Sequence, residues 1–405
     1  MSRRVPAAPF LSGIAFMWFL FMFLSKNHNF DKHSMKTLNR SEVIPQPLTE
    51  GSPSLVSPMV IVVCDSVGDK GDIRLLSISK NETDDPDFVK RVQESWSRQA
   101  EQLTTMLKTL LYFTKSPLWR IIVMTDTRDT FNKVLNLTTV FPGSRLLLQH
   151  RPIWLPRDEP VIKGHWRPCA WAKQFMAEAL PDQDSAVYVD TDVLFLGPAE
   201  ELWWLLHSMG PRQALALAPE PQYLLDTPKR PFAGSVGLNT GVMVANLTRL
   251  RQLPGGGLGS AILNSGAITP PPRHDQDALN HYLLHRPHLL LEVTSRWNFS
   301  PTCCFLEAPP CADCLSAGIL VLHGAGTSFF RFIDRKFLVM YTNLSRLRLG
   351  DDPRLLLTKV EGHLSLADYW AHIFPCSNHS GLNHALTLRL ADAAMATTLK
   401  LPPSA

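Results

Sequence analysis

The stretch that decides the fold is Ser185–Leu196, SAVYVDTDVLFL. An apolar run leads into Asp190-Thr191-Asp192, and a second apolar run follows it. In an extended chain, side chains two residues apart point to the same side, so the two aspartates are predicted to face one way. A hard divalent cation, which prefers oxygen ligands, would offset their mutual repulsion. The alternative is a solvated turn with two surface aspartates, because aspartate is common in turns.

Predicted strands and helices alternate along the rest of the chain. Continuous apolar runs predict buried strands at residues 59–64, 118–124, 187–189, 214–218, 242–245 and 318–322. Helical spacing predicts helices at residues 88–113, 169–180, 199–207, 276–284 and 364–374. Asp275 is placed to cap the helix that follows it. This alternation predicts an α/β domain with a mostly parallel sheet.

Two segments stand outside this alternation. Residues 252–273 contain clusters of glycine and proline and are predicted to be mostly loop. The glycine-rich run at 255–259 does not meet the phosphate-loop motif, because no strand precedes it and no Lys-Ser/Thr pair follows it. Residues 381–405 show no clear packing partner, and we predict that they form a C-terminal tail.

Composition and charge exclude several classes of protein. The chain has 405 residues, of which 45% are hydrophobic and 19% charged, as expected for a globular rather than a disordered protein. The net charge of +4 is small and the basic residues are spread along the chain, so nucleic acid is not a predicted partner. A serine hydrolase has no support because no Gly-x-Ser-x-Gly element is present, and His-Glu-x-x-His is absent too.

The N-terminus predicts a membrane anchor. Arg3 and Arg4 precede an apolar stretch at residues 7–24, which has about the minimum length for a membrane span. A cleavable signal peptide has a similar layout, but no small-x-small cleavage site follows the stretch. Because the basic side stays cytosolic, residues 1–6 are predicted to be cytoplasmic and the chain after the apolar stretch lumenal. We therefore expect a single-pass type II protein of the ER or Golgi membrane, with a flexible stem at residues 25–58.

Sequons and cysteines agree with a lumenal location. Asn-x-Ser/Thr acceptors occur at Asn39, Asn81, Asn136, Asn246, Asn298, Asn343 and Asn378. Four of the seven cysteines are clustered, at Cys303, Cys304, Cys311 and Cys314. The Cys-x-x-Cys spacing also suggests zinc, but an oxidising lumen favours disulfides. Because seven is odd, at least one thiol is expected to stay unpaired, and the pairing is left open.

Polar residues follow several predicted strands or begin a predicted helix. They are Asp190 and Asp192, Asn239-Thr240-Gly241, Asp275-Gln276-Asp277, and His323-Gly324. Each has an ordinary structural explanation, as a turn residue, a helix cap or a buried histidine. Ligands of open α/β sheets bind at the carboxyl ends of the strands, so together these residues predict the rim of one cleft.

Residues 188–196 resemble the Asp-x-Asp segment of glycosyltransferase family 8. Residues 275–280, Trp297-Asn298-Phe299 and Leu322-His323-Gly324 occur in the order and spacing of that family. The pattern is most similar to the glucoside xylosyltransferase group, in the segments 167–170, 189–198, 218–220, 237–243 and 246–249. The resemblance covers about residues 59–375 and is strongest from 165 to 325.

The resemblance implies a GT-A fold, a single Rossmann-like nucleotide-sugar-binding domain with a mixed central sheet, at residues 59–380 behind the N-terminal transmembrane anchor. It implies a retaining enzyme that transfers xylose from UDP-xylose, in α-1,3 linkage, to glucose O-linked to EGF-like repeats such as those of Notch. The implied cofactor is Mn²⁺ or Mg²⁺. Two alternatives stay open: a family 8 transferase that uses UDP-glucose or UDP-galactose, and a non-catalytic lumenal binding protein on the same fold.

The resemblance also assigns roles to particular residues. It makes Asp190, Asp192 and His323 the metal ligands. Donor contacts are implied for Lys173, Asn239, Thr240, Gly241, Asp275 and Gly324. Gln276 would lie beside the anomeric carbon. Because an amide is a poor nucleophile, we expect attack on the face of the leaving group, with a covalent step through Asp275 or Asp277 as the alternative.

The chain departs from the family pattern in three places. Many family 8 enzymes follow His-Gly with Lys-Pro-Trp, whose lysine contacts the diphosphate, and residues 323–329 lack this element. Lys173 replaces the usual arginine, which keeps the charge but loses the bidentate fork. The segment 251–273 looks unlike the group and falls where an acceptor could dock. The identity of the acceptor is therefore less constrained than the donor chemistry.

Overall fold

A mixed sheet organises the fold, and the Asp190-Thr191-Asp192 segment follows its central strand. The computed structural model describes residues 58–65, 86–141, 145–156, 159–163, 168–225, 229–266, 272, 274–305, 311, 314–331, 334–368, 376 and 381–398. Within them the strands are β1 (Met59–Val63), β2 (Trp119–Thr125), β3 (Leu146–Pro152), β4 (Ser185–Val189), β5 (Val193–Phe195), β6 (Leu215–Pro219), β7 (Leu238–Asn246), β8 (Leu290–Glu292) and β9 (Val321–His323).

One strand of the main sheet runs against the others. The strand order is β3-β2-β1-β4-β7-β6-β8, and neighbours pair in parallel except at β7, which is antiparallel to both β4 and β6. Because β7 runs backwards, its first residues lie at the sheet edge where β4 ends. Strands β5 and β9 form a separate antiparallel pair. The mixed central sheet expected for a GT-A fold is thus confirmed.

Helices and short 3₁₀ segments connect the strands. The helices are α1 (Pro86–Phe113), α2 (Arg128–Thr138), α3 (Pro160–Lys163), α4 (Met176–Ala179), α5 (Glu201–Ser208), α6 (Gln222–Leu225), α7 (Leu247–Leu250), α8 (Leu258–Asn264), α9 (Asp275–Leu284), α10 (Cys314–Ala317), α11 (Arg335–Ser345), α12 (Pro353–Asp368) and α13 (Leu382–Thr398). The 3₁₀ helices are Pro168–Phe175, Pro287–Leu289, Ser295–Trp297, Pro301–Phe305 and Ala325–Phe330.

The sheet is buried on both faces. Val60 of β1 belongs to one buried cluster, together with Tyr188 of β4, whereas the next residue, Ile61, belongs to a second cluster with Val187. Successive side chains of a strand point to opposite faces, so each strand contributes to both cores. This explains the continuous apolar runs of the predicted strands, which are typical of sheets covered on both sides.

Several predicted elements differ in type or extent. The helix expected at 169–180 is a 3₁₀ helix followed by the short α4. The segment predicted to be mostly loop contains α8, whose buried residues pack into the core. Asp275 is the first residue of α9 and not its cap. The N-cap is His274, whose backbone is extended and whose N–H donates to the Asp277 carboxylate at 3.2 Å.

The prediction of a tail at residues 381–405 is wrong for the part that the structure describes. Helix α13 buries an apolar face against α12 and α10. The buried residues are Leu382, Ala385, Leu386, Leu390 and Ala394. Their spacing of three and four residues is helical, so the sequence contained the signal. The partner surface lies on distant segments, which is why the sequence suggested none. Helix α12 also begins earlier than the predicted helix at 364–374.

Two disulfides connect distant parts of the chain. Cys64, directly after β1, is bonded to Cys169 in the first turn of a 3₁₀ helix, and Cys304 is bonded to Cys376. Cys303, Cys311 and Cys314 are free and buried. The expectations of disulfide bonds and of at least one unpaired thiol are confirmed. Only one member of the cysteine cluster is paired, and its partner lies outside the cluster.

The predicted tail at 1–6, anchor at 7–24 and stem at 25–58 lie outside the described residues, apart from Pro58. Among the helices that are described, none combines the length and the apolar character that a membrane crossing requires.

The sequons in the described part differ in accessibility. Asn298 and Asn343 are buried, and the Asn246 side chain accepts the N–H of Arg249 at 2.9 Å as the cap of α7. Asn136 is exposed on α2. A glycan on the folded protein therefore fits Asn136 much better than the two buried acceptors.

A buried lysine joins the C-terminal helices. Lys336 of α11 is 2% exposed, and its ammonium lies 3.0 Å from Asp368 Oδ1 at the end of α12. Asn383 of α13 donates to the other oxygen of the same carboxylate at 2.5 Å. A buried charge is costly unless it is paired. Asp368 therefore holds three helices together.

We expect Asp368→Ala to lower the free energy of unfolding by about 3 kcal/mol, because it leaves the buried ammonium unpaired. This is the low end of the range for buried pairs, since the Asp368 side chain is itself 38% exposed. Adding Lys336→Met should recover most of the loss, because it removes the unpaired charge. Urea unfolding provides the measurement.

The matched control is Asp182→Ala. Asp182 pairs with Arg151 at 2.5 Å on the surface, and its loss should cost less than about 1 kcal/mol. The assignment is wrong if Asp368→Ala unfolds no more easily than this control.

Candidate active site

Backbone hydrogen bonds hold the Asp190-Thr191-Asp192 segment in place. The N–H of Asp190 donates to the carbonyl of Gly241 in β7 at 2.8 Å, and the N–H of Gly324 donates to the carbonyl of Asp192 at 2.7 Å. Val193, the next residue, pairs with His323 across the β5–β9 ladder. The two aspartates are therefore tied to the start of β7 on one side and to the end of β9 on the other.

Asp190, Asp192 and His323 converge. Ligand atoms from the three side chains all lie within 4.8 Å of one another. The His323 Nε2 is 3.4 Å from Asp192 Oδ1 and 3.8 Å from Asp190 Oδ2. Thr191 and Asp192 form a turn between β4 and β5, so the predicted extended segment is wrong, and the turn brings the two carboxylates together. In the described part of the chain, this is the group of three or more acidic, histidine or cysteine side chains suited to a metal ion.

Gly241 makes room for the His323 ring. A Cβ atom at this position would lie 2.1 Å from Cε1 of the imidazole, far inside van der Waals contact. The Nδ1 atom of His323 is buried and has no hydrogen-bond partner among the described residues. Metal-binding histidines usually donate this second nitrogen to an oxygen. Here the β5–β9 pairing and the close approach of Gly241 orient the ring instead.

Lys173 bridges Asp190 and a second carboxylate, that of Asp275. Its ammonium is buried, 3.2 Å from Asp190 Oδ1 and 3.5 Å from Asp275 Oδ2. It also lies 5.1 Å from the centre of the Tyr188 ring, and the Tyr188 hydroxyl donates to Asp190. Sequence reasoning missed Tyr188, although a residue two positions before Asp190 in a strand points to the same side.

Neighbouring charges shift the pKa values of these buried groups. Burial raises the pKa of the Asp190 carboxyl above its ordinary value, while Lys173 opposes that shift and Asp192 reinforces it. For Asp192, burial is outweighed by the adjacent His323, and the pKa of the carboxyl is lowered. Burial would lower the pKa of Lys173, but Asp190 and Asp275 outweigh it and the pKa is raised.

His323 responds in the same way as Lys173. Burial would lower the pKa of its imidazole, but Asp192 and then Asp190 outweigh burial, so the pKa is raised. The carboxylates thus favour the positively charged forms of both Lys173 and His323. Such a site favours a bound cation.

The N-terminus of α9 reaches the same edge of the sheet. The side-chain oxygen of Gln276 accepts the backbone N–H of Thr240 at 3.0 Å, which attaches the helix to the start of β7. Asp275, the preceding residue, is buried and faces Lys173. The structure therefore brings Asp275 to Lys173, the partner of Asp190, and Gln276 to the start of β7.

Asp277 is engaged in a different set of contacts. Its carboxylate accepts the hydroxyl of Tyr223 at 2.9 Å and is ion-paired with Arg230. The same carboxylate accepts the N–H of His274 at 3.2 Å. These partners attach α9 to α6 and to the chain that precedes β7. This arrangement gives Asp277 a structural role.

Asn239 and Gly324, two of the predicted donor contacts, are both packed against other residues of the protein. The Asn239 side chain donates to the buried Glu220 at 2.5 Å and accepts from Asn298 and from the Gly241 N–H, each at 2.8 Å. A Cβ on Gly324 would lie 2.3 Å from the buried Phe329 ring. Sequence reasoning gave Glu220 and Asn298 no role. Their position directly after a strand or a 3₁₀ helix was the signal that could have drawn attention to them.

We expect Gly241→Ala to weaken Mn²⁺ binding roughly 10- to 100-fold, the usual effect of disturbing the shell that orients a metal ligand. The added methyl group must displace the His323 ring. Isothermal titration of Mn²⁺ provides the measurement without requiring turnover. Gly362→Ala is the matched control, because a Cβ there meets no atom within 4 Å and should leave binding unchanged. Equal affinities for the two variants would show that the ring position is unimportant.

Relatives with similar sequences are glucoside xylosyltransferases. The chain is 32% identical over 279 residues to glucoside xylosyltransferase 1 of Rattus norvegicus, covering 64% of this chain and 63% of that protein. It is 31% identical to the Mus musculus protein of the same name, covering 64% of this chain and 68% of that protein. No protein-family model matches.

Among solved structures, the apo form of mouse xyloside xylosyltransferase 1 aligns with a TM-score of 0.45 and 14% identity, covering 67% of this chain and 98% of that one. In sequence, the chain spans 63% of the length of the Rattus norvegicus glucoside xylosyltransferase 1 and 68% of that of the Mus musculus protein. By its similarity in sequence to these relatives, the chain belongs to the glucoside xylosyltransferase family.

Proposed function

We propose that the chain is a retaining, metal-dependent glycosyltransferase with a GT-A fold. It transfers xylose from UDP-xylose, in α-1,3 linkage, to glucose O-linked to EGF-like repeats. Membership of a family named for xylosyl transfer to glucosides supports the reaction. The observation that carries the proposal is the convergence of the metal-site residues with Lys173 and Asp275 at one edge of the sheet. The linkage and the EGF-like acceptor follow from the resemblance to the group.

The donor set fits Mn²⁺ or Mg²⁺. Two carboxylates and one imidazole present ligand atoms close together, with an excess of negative charge, and oxygen-rich sites suit these cations. Asp190, Asp192 and His323 would hold the ion and leave coordination positions for phosphate oxygens. When bound, the cation would supply Lewis acidity, which stabilises the negative charge developing on the diphosphate.

Lys173 and Asp275 would organise the donor side of the reaction. The bond that breaks joins the anomeric carbon of xylose to the β-phosphate oxygen, and the electron pair leaves with UDP. The buried ammonium of Lys173 holds Asp190 and Asp275 at a fixed separation. This contact would direct the Asp275 carboxylate as an acceptor for sugar hydroxyls. A preorganised charge of this kind needs no rearrangement during the reaction.

Gln276 would act on the anomeric carbon. The hydrogen bond from Thr240 fixes its amide at the sheet edge. An amide dipole can stabilise the oxocarbenium-like positive charge, yet it captures that charge poorly as a nucleophile. The acceptor hydroxyl then attacks from the face of the departing phosphate. Its proton passes to the leaving phosphate oxygen, and the anomeric configuration is retained.

The proposed location is the lumen of the ER or Golgi, behind the anchor at residues 7–24. The disulfides Cys64–Cys169 and Cys304–Cys376 support an oxidising compartment. The exposed sequon at Asn136 agrees with it.

The test is a panel of UDP-sugars offered to the purified full chain with Mn²⁺ and EGF-like repeats, either bare or carrying O-linked glucose. We expect a pentose mass to be added only from UDP-xylose and only to the glucosylated repeat. Asp192→Asn should lower kcat/KM about 100-fold or more, because Lewis-acid stabilisation contributes several kcal/mol. The surface substitution Asp182→Asn should not change it.

Other outcomes decide between the alternatives. Transfer from UDP-glucose or UDP-galactose would replace the donor assignment and keep the enzyme class. If no donor releases UDP, and Asp192→Asn behaves like the parent chain, the protein is a binding protein on this fold.

Asp275→Asn and Asp277→Asn separate the same-face mechanism from a covalent one. We expect Asp275→Asn to reduce kcat strongly, because it removes the carboxylate paired with Lys173. Asp277→Asn should lower the unfolding temperature and keep kcat within about tenfold, because its contacts are structural. Steady-state kinetics and thermal unfolding give the two readouts. A stable but inactive Asp277→Asn variant, together with a glycosyl adduct on the parent chain in mass spectra, would favour the covalent step.

A further inference from the structure

Two imidazoles, one half-buried and one exposed, lie four residues apart at the end of α9. His281 is in the last turn of the helix and His285 is its C-cap. Their ring centres are 5.5 Å apart, and the ring planes are inclined by 50°. Residues four positions apart lie on one face of a helix, and this spacing of two histidines binds zinc in known metal motifs. We propose that His281 and His285 form a surface site for a transition-metal ion such as Ni²⁺, Cu²⁺ or Zn²⁺.

The separation of the rings fits a shared ion. A metal–nitrogen bond of about 2.0–2.1 Å places each ring centre about 3.2 Å from the metal, so a tetrahedral angle puts two ring centres about 5.2 Å apart. The observed 5.5 Å differs from this by a few tenths of an ångström. A small rotation of the exposed His285 side chain is sufficient to close the difference.

Neither ring is committed elsewhere. Among the described residues, the side chains of His281 and His285 make no hydrogen bond or ion pair, and the contact recorded for them is the one with each other. The neighbouring Arg286 stacks instead on Tyr282, 4.1 Å from its ring centre. The nearest arginine in sequence is therefore held on a different face. Both imidazoles stay available as ligands.

The position at the helix end favours a cation. The last carbonyl groups of a helix lack intrahelical partners and give the C-terminus a partial negative charge. A metal ion bound by His281 and His285 would lie at this end of α9. His288 follows three residues later and is exposed, so it offers a further imidazole. The remaining coordination positions would be filled by water.

The site differs in chemistry from the carboxylate-rich cluster. Imidazole nitrogen suits Cu²⁺, Ni²⁺ and Zn²⁺, whereas carboxylate oxygen suits Mn²⁺ and Mg²⁺. At 1.5 Å per residue, His285 lies roughly 13 Å along α9 from Gln276. Binding there would hold the last turn of the helix whose first turn carries Asp275 and Gln276. The inference does not depend on the proposed transfer reaction.

The experiment uses NiCl₂ as the probe on the purified full chain. Isothermal titration is compared for the parent chain, His281→Gln and His285→Gln. We expect each variant to lose one equivalent of Ni²⁺ or to bind it at least tenfold more weakly. The unfolding temperature of the parent should rise with Ni²⁺ because a ligand that binds the folded state stabilises it, and the variants should lose that rise.

His207→Gln is the matched control. His207 is also an exposed histidine in the last turn of a helix, α5, so its loss should leave Ni²⁺ binding unchanged. Labelling of histidines with diethyl pyrocarbonate, followed by peptide mass spectrometry, locates the ion. Ni²⁺ should protect His281 and His285 and leave His207 reactive. The proposal is overturned if both variants bind Ni²⁺ as the parent does, or if protection appears only at His323.

Discussion

The structure around the site depends on the repulsion among three carboxylates and on the buried ammonium that relieves it. Asp190 and Asp275 both contact Lys173, while Asp192 faces His323. In a buried environment, like charges at this distance would be costly without compensation. Lys173 compensates from the 3₁₀ helix Pro168–Phe175, and His323 does so from the end of β9. The segment and the first turn of α9 can therefore occupy the same edge of the sheet.

The reversed strand β7 makes this convergence possible. A parallel strand in its place would begin at the opposite edge of the sheet and would leave β4 without Asn239, Thr240 and Gly241 at its end. With β7 antiparallel, Gly241 accepts the N–H of Asp190 and also clears the space for His323. One glycine thus contributes to the placement of two candidate metal ligands, Asp190 and His323. The Cys64–Cys169 disulfide adds a covalent connection between the end of β1 and the 3₁₀ helix that carries Lys173.

Asp275 and Asp277 have different partners although they lie only two residues apart. Both are buried in the first turn of α9. Asp275 faces the ammonium of Lys173, whereas Asp277 is occupied by Tyr223 and Arg230. Two residues along a helix correspond to a rotation of about 200°. The two side chains therefore point to nearly opposite sides, and only one of them lies toward the cleft.

Local pattern was sufficient for much of this protein. The apolar runs predicted the buried strands on either side of Asp190-Thr191-Asp192, and the two aspartates of that segment predicted a pair of carboxylates. The alternation of strands and helices predicted the α/β class but a mostly parallel sheet, whereas the mixed sheet and the family followed from the resemblance of the motifs. Contacts between segments far apart in sequence could not be predicted from local pattern. The packing of α13, the pairing of Cys304 with Cys376, and the contacts of Lys173 with Asp190 and Asp275 depend on which segments meet. Periodicity records which face of a segment is buried, and tertiary structure alone decides what covers it.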